Sequence, residues 1–220
     1  MKRSYCSIPE RDPAEIKRVD EQARAAMREI GAVCRPEIWA TSMPVINFSD
    51  GTLGKDKEFD MTRFHGRIVL GDAAGFLGNI PSPFPHGENR LTLVRWGDEP
   101  DQCGRIECHT WLNATSIVSY REVYIGPGVL LGPGVIIMDC DGHPVDRRLP
   151  DVTANRKMAP VCIEEHAWIG LGAMIMKGVT VGHHAVVAAY SVVTKNVPPH
   201  CVAAGNPARI VKNFAGESKP

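Results

Sequence analysis

The sequence predicts a β protein wound as a parallel β-helix of hexapeptide repeats, with an N-terminal helix before it and a protruding loop at about 139–160. Three observations carry that expectation. A branched aliphatic residue returns every six positions through Ile163, Ile169, Ile175, Val181, Val187 and Val193. A helix repeats about every 3.6 residues and a strand about every 2, so neither makes this period. The position after each is mostly small: Gly170, Gly182, Ala188, Thr194. A coil of three straight edges satisfies both, each edge sending one aliphatic residue inward. Small residues then take corners where crowding or a positive φ excludes a large side chain. Lastly, aromatics are only 6 % while Gly (21) and Pro (17) are plentiful, as thin aliphatic stacks with tight corners require.

The whole chain bounds the function. Lys+Arg and Asp+Glu both number 25, so no basic surface is expected for nucleic acid or a charged membrane. The longest apolar runs, such as 129–138, are short and broken by Gly and Pro, so no membrane span is expected. MKRSYCSIPERDP carries basic residues without an apolar core behind them and does not read as a signal peptide. Seven cysteines without a CxxC pair read as reduced thiols in a cytoplasmic protein, and no metal is expected.

In order along the chain, Asp12 can cap a helix, with Pro13 at its first position and Glu15 completing a capping box. Ile16, Val19, Ala23, Ala26, Met27 and Ile30 share one face, and Gly31 can close the end. Packing on the end of the β-helix or on a neighbouring subunit is favoured over an arm above an active site. Residues 66–80 and 91–96 read as strands around a Pro/Gly-rich loop, PSPFPHGENR. They form either irregular early coils or a small capping sheet. Residues 1–105 are therefore set apart as helix and irregular cap, 106–201 as the regular β-helix, and 202–220 as a C-terminal tail.

The repeat runs through Ile106, Leu112 and Val118, slips by one residue near Tyr124, and resumes at Ile125, Leu131 and Ile137. Phase is then lost until Ile163. The intervening stretch is polar, charged and bounded by prolines, and an excursion of this length from a solenoid is usually functional.

With repeats and excursion together, the sequence resembles the hexapeptide-repeat acyltransferases, above all the galactoside, maltose and nodulation-factor type of sugar O-acetyltransferase. HPVDRRL (143–149) is similar to the start of the family's extended loop, HAWIGLGAMIMKGVTVG (166–182) to its WIG…GVTIG segment, and SVVTKNVPPHCVAAGNPARIVK (191–212) to its C-terminal ending. The likeness spans about 106–212. It implies a left-handed β-helix, an exception to the usual right-handed crossover. It also implies a homotrimer with sites between subunits, acetyl-CoA as donor, and a small-molecule acceptor of sugar type.

Acetyl transfer from a thioester needs a base for the acceptor hydroxyl and stabilisation of the oxyanion. His143 matches the family's catalytic histidine. An imidazole ordinarily titrates near pH 6.5, roughly, and so suits the task. Asp139, Asp141 or a backbone carbonyl is expected to hold its other nitrogen. The resemblance gives Trp168, Ala189, Thr194, Lys195, Arg209 and Lys212 to the coenzyme A groove, where the three cations can meet phosphates. Asn113, then Ser116, are the acceptor candidates, with Asp141 beside them; an ungapped match puts Ala114 at the family's asparagine. Tyr190 stands where the family commonly has glycine. His166, His183 and His184 read as exposed turn residues, and His65, His86, His109 and His200 have no motif. Two rivals remain: N-acylation of an amino sugar or antibiotic, and a zinc hydratase of carbonic-anhydrase type, which needs three converging histidines.

Overall fold

In the computed structural model of the chain, the residues described are 13–34, 39–40, 42–50, 59–71, 74–77, 87–97 and 99–216. The strands stack into three faces of a prism. The first face holds Val33–Cys34, Ile68–Leu70, Ile106–Cys108, Val123–Ile125, Val161–Ile163 and Thr180–Val181, all parallel. The second begins with Trp39–Ala40, Gly75–Leu77 and Trp111–Asn113. It continues through Leu130–Leu131, Trp168–Ile169, Val186–Val187 and Cys201–Gly205 to the antiparallel strand Ala208–Asn213. The third holds Val45–Asp50, Arg90–Arg95, Ser116–Ser119, Ile136–Met138, Met174–Ile175 and Val192–Val193.

The coil length explains the sequence period. Ile163 pairs with Val181, Ile169 with Val187 and Ile175 with Val193, each eighteen residues on, which is three edges of six. All six side chains point inward and are fully buried. The small residue that follows is demanded by the next coil's backbone. A Cβ on Gly170 would sit 2.6 Å from the Ala189 amide nitrogen, and one on Gly132 would sit 2.4 Å from that of Leu171.

Two details differ from the sequence reading. Ile117, not Val118, is the inward residue, in register with Ile137. Tyr124 is no corner either: it lies mid-strand between Glu107 and Cys162. The irregularity falls at Ser119–Glu122, where the corner wraps a buried carboxylate described below. In the excursion, Ile125 pairs with Ile163 thirty-eight residues on, so about twenty residues leave the coil there.

The strands before Ile106 pair in parallel with those of 106–119 on all three faces, the second face dividing into two sheets between Trp111–Asn113 and Leu130–Leu131. Their interior is bulkier: Phe64 and Phe76 are fully buried, and the Phe64 ring stacks 5.7 Å from Phe59 and tilts 5.0 Å from Phe48. Polar bolts hold these coils. Buried Asn89 donates to the Leu77 carbonyl (2.8 Å) and accepts from the Thr115 amide (3.0 Å). Asp50, with no exposed side-chain surface, pairs with Arg63 at 3.0 Å and lies 3.7 Å from Arg95.

The helix Pro13–Glu29 closes the open end of the prism, with Ala23 and Met27 buried in the common core. Its C-terminus is a Schellman turn: the Ala32 amide donates to Met27 (2.9 Å), the Gly31 amide donates to Arg28 (3.0 Å), and Gly31 has φ +69°. Asp20 fastens helix to coil by accepting from the Ala40 amide at 3.0 Å. The expected cap Asp12, the side chains of Glu15 and Ile16, residues 78–80 and His86 lie outside the described residues. The six described cysteines are free thiols, and burial pushes Cys108 up to about 12 and Cys140 to about 11. Among the described residues no helix is long and apolar enough to cross a membrane.

Candidate active site

The excursion leaves the third face after Ile136–Met138, and its first residue is an anchor. Asp139 is fully buried and accepts from the Tyr120 amide (2.7 Å), the Arg121 amide (2.8 Å) and the Ser119 hydroxyl (2.9 Å) of the preceding coil. Burial lifts its carboxyl above the usual range, against the pull of those donors. A short antiparallel stem follows. Cys140 bridges Met158, the Asp141 amide donates to Lys157 (3.0 Å), and the Ala159 amide donates to Asp139 (2.9 Å). Asp141 pairs with Lys177 of the next coil, so the stem is tied to the coils on both sides.

Gly142, at φ +74°, turns the chain out of the stem and presents His143. The His143 Nδ1 lies 2.7 Å from Asp151 Oδ2. The other oxygen of Asp151 accepts from Arg156 Nη2 (3.1 Å) and Nε (3.3 Å). The hydrogen bond from His143 and then Arg156 hold the Asp151 carboxyl below its ordinary range. A carboxylate on Nδ1 fixes that nitrogen as the protonated one, leaving Nε2 as the basic site. The side chain of His143 is 67 % exposed, so Nε2 is within reach of a ligand.

This corrects the expected orienting group. Neither Asp139 nor Asp141 holds His143: Asp139 is consumed by the corner and Asp141 by Lys177. Asp141, expected beside the acceptor, braces the stem, and its second oxygen is enclosed. Asp151 escapes a sequence reading because it lies eight positions along the loop from His143, and loop closure follows no period.

Asn113 and Ser116 flank one corner of the coil before the loop, and Ser116 is in register with Ile136 at the loop's root. Between them Ala114 takes a left-handed conformation, φ +49°. The donor candidates gather elsewhere. Trp168 is 53 % exposed on the second face, whose last strand carries Arg209 and Lys212, opposite Ala204 and Val202. Lys195 and Arg209 line one cavity of about 120 Å³ with Val193 and Ala203. Lys212 sits 4.4 Å above the Phe214 ring. Ala189 and Thr194 are exposed at the corners on either side of Val192–Val193. The Ser191 hydroxyl fixes the exit turn by accepting from the Gly205 amide at 3.1 Å. Tyr190 packs between coils: from a left-handed corner, φ +56°, its ring covers Gly172, whose Cβ would lie 2.6 Å from it.

Two of the histidines expected as exposed turn residues, His183 and His184, meet His200, which stood without a motif. His183, His184 and His200 bring ligand nitrogens within 4.8 Å of one another. The spacing held the clue, since His166 and His184 lie one eighteen-residue coil apart.

No family model matches the chain. The chain is 39 % identical over 106 residues to the galactoside O-acetyltransferase of Escherichia coli K12, 47 % of this chain and 50 % of that protein. Over stretches of about that length the chain is similar to galactoside O-acetyltransferases and to nodulation protein L. It spans about half the length of the curated relatives it matches. A hexapeptide-repeat acetyltransferase of Vibrio cholerae, solved with acetyl coenzyme A, aligns over 91 % of this chain and 90 % of its own (TM-score 0.50, 23 % identity). An N-acyltransferase of Bacillus cereus, solved with dTDP-4-amino-4,6-dideoxyglucose and coenzyme A, aligns over 86 % and 88 % (TM-score 0.52, 15 % identity). At those identities the likeness bears on the fold, which is the left-handed β-helix.

Proposed function

We propose that the chain is a coenzyme A-dependent O-acetyltransferase, moving the acetyl group of acetyl-CoA to a hydroxyl of a sugar or similar small molecule. The observation that carries this reading is the His143–Asp151–Arg156 chain of hydrogen bonds on a loop tied to two coils. His143 Nε2 takes the acceptor's hydroxyl proton as the oxygen attacks the thioester carbonyl. The carbon–sulfur bond then breaks, and the leaving thiolate takes the proton back from His143. Asp151 orients the ring and steadies its cationic form, and Arg156 holds Asp151. Lys195, Arg209 and Lys212 supply cations for the donor's phosphates, and Trp168, Ala189 and Thr194 flank its arm. Asn113 and Ser116 are assigned to the acceptor.

We further assign a homotrimer with active sites between subunits, in the cytoplasm. Exposed apolar side chains support the assembly: Leu130, Trp168 and Ile136 on the prism, Val145, Leu149 and Val152 on the loop. Free buried thiols suit a reducing compartment. N-acylation is the second reading, because the fold is shared with the amino-sugar enzyme of Bacillus cereus and the same base serves an amine.

The test is thiol release from acetyl-CoA against panels of sugars, amino sugars and alcohols. His143→Ala is expected to lower the acceptor-dependent rate by about 10²–10⁴-fold. Asp151→Asn should lower kcat with little change in KM. Release that survives loss of His143 would end the general-base assignment, and an amine-only response would select N-acylation.

A further inference from the structure

One corner of the prism carries a stack of histidines that acyl transfer does not use. His166, His184 and His200 occupy successive coils at that corner, each left-handed at φ +57°. His184 lies between the other two, its ring centroid 5.1 Å from His166 and 5.2 Å from His200. His183 turns in beside them, its Nδ1 only 3.2 Å from the Nδ1 of His184, and its ring meets His200 edge-on at 4.8 Å. Left-handed corners favour histidine several-fold over most side chains, which accounts for each φ. It does not account for the repetition, because the equivalent column on another corner carries Gly134, Gly172 and Tyr190.

The geometry points to a divalent transition-metal site of the zinc, nickel or copper class at this corner, with His183, His184 and His200 as ligands. Zinc–imidazole bonds of about 2.0–2.1 Å put tetrahedral ligand nitrogens roughly 3.3–3.4 Å apart. The His183–His184 pair already has that separation, and all three nitrogens lie within 4.8 Å. His184 is exposed, while His183 and His200 are half-buried and held. The backbone holds them: the His183 amide donates to Glu164 Oε2 (2.8 Å) and the His200 amide to the His183 carbonyl (3.2 Å). A cavity of about 310 Å³, lined by Tyr124, Pro127, Glu164, Glu165 and His183, opens beside the cluster and brings two carboxylates to a cation's approach. Imidazoles without thiolates select this class over magnesium or calcium. Bound there, the ion joins the coil of Val181–Val187 to that of Cys201–Gly205, which bears the exit strand with Arg209 and Lys212. This site is independent of the loop base.

Tag-free, chelator-washed protein titrated with Zn²⁺ by calorimetry is expected to bind one ion per chain, with micromolar or tighter affinity. Its Tm should rise by roughly 5–10 °C at a concentration about a hundred times the dissociation constant. His184→Asn and His200→Asn keep a side chain that tolerates the left-handed corner but remove the imidazole. Each should weaken binding at least tenfold, while His143→Ala leaves it unchanged. Co²⁺ added to the unmodified protein should give the visible bands of a nitrogen-ligated tetrahedral ion, a reading that needs no variant to fold. Absence of both heat and bands at millimolar metal, or binding indifferent to the corner variants, overturns the site. Loss in His143→Ala would move the metal to the loop and overturn it equally.

Discussion

The coils from Val161 to Val193 and those from Val33 to Cys103 belong to one prism yet are held in different ways. In the later coils each inward position is an aliphatic residue stacked on its equivalent eighteen residues away, under a ladder of parallel backbone hydrogen bonds. In the earlier coils no such spacing holds: Leu70 pairs with Cys108 thirty-eight residues on, and Val45 with Arg90 forty-five on. There, in addition to parallel strand pairing, the coils are joined by single polar devices, Asp50 with Arg63 and Arg95 and Asn89 between Leu77 and Thr115. A repeated interaction spreads stability over many equal parts. A polar bolt concentrates it, because removing one member strands a buried partner.

Substitutions test that contrast. Asp50→Ala leaves Arg63 and Arg95 facing a site that has lost its carboxylate, and should cost about 3–5 kcal/mol in urea unfolding. A cost under about 1 kcal/mol would deny the early coils their distinct mechanism. Asn89→Ala leaves the buried Thr115 amide without its acceptor and the Leu77 carbonyl with only the Ala114 amide at 3.4 Å, and should cost about 1–3 kcal/mol. Thermal unfolding of Asn89→Asp separates shape from hydrogen bonding, since aspartate keeps only the acceptor side. Ile175→Val in the regular stack removes one methylene and should cost about 0.5–1.5 kcal/mol. If it costs as much as Asp50→Ala, the load is not shared as the spacing implies. Smallest is Ala114→Gly, which relieves a left-handed alanine and should be neutral or stabilising by about 1 kcal/mol or less in the same urea assay.

Legibility in the sequence follows the same division. Ile163 to Val193 could be read because every coil poses one packing problem, and six residues answer it alike. The helix was readable from the spacing of Ala23 and Met27 and from Gly31, all local signals. The period does not separate Val118 from Ile117, because either aliphatic satisfies it, and only the corner wrapped around Asp139 chooses between them. Before Ile106 the determinants are pairs distant in sequence, such as Asp50 with Arg95, whose meeting no window contains. The candidate site divides likewise: His143 stood out through its motif, while Asp151 and Arg156 depend on how the loop folds back.

By itself the sequence determined the coil: a six-residue period of branched aliphatics with small corners admits few other solutions, since burial and close backbone approach are tested at every turn. It also marked where the coil is interrupted and which histidine the interruption presents. The tertiary structure alone decided which carboxylate orients that histidine, which aspartates are spent on the loop's anchorage, and which histidines from separate coils become neighbours. The physical reason is range. Periodicity records what each residue needs from its own coil, whereas a hydrogen bond across a loop or a cluster on a corner depends on how coils of unequal length bring their edges together.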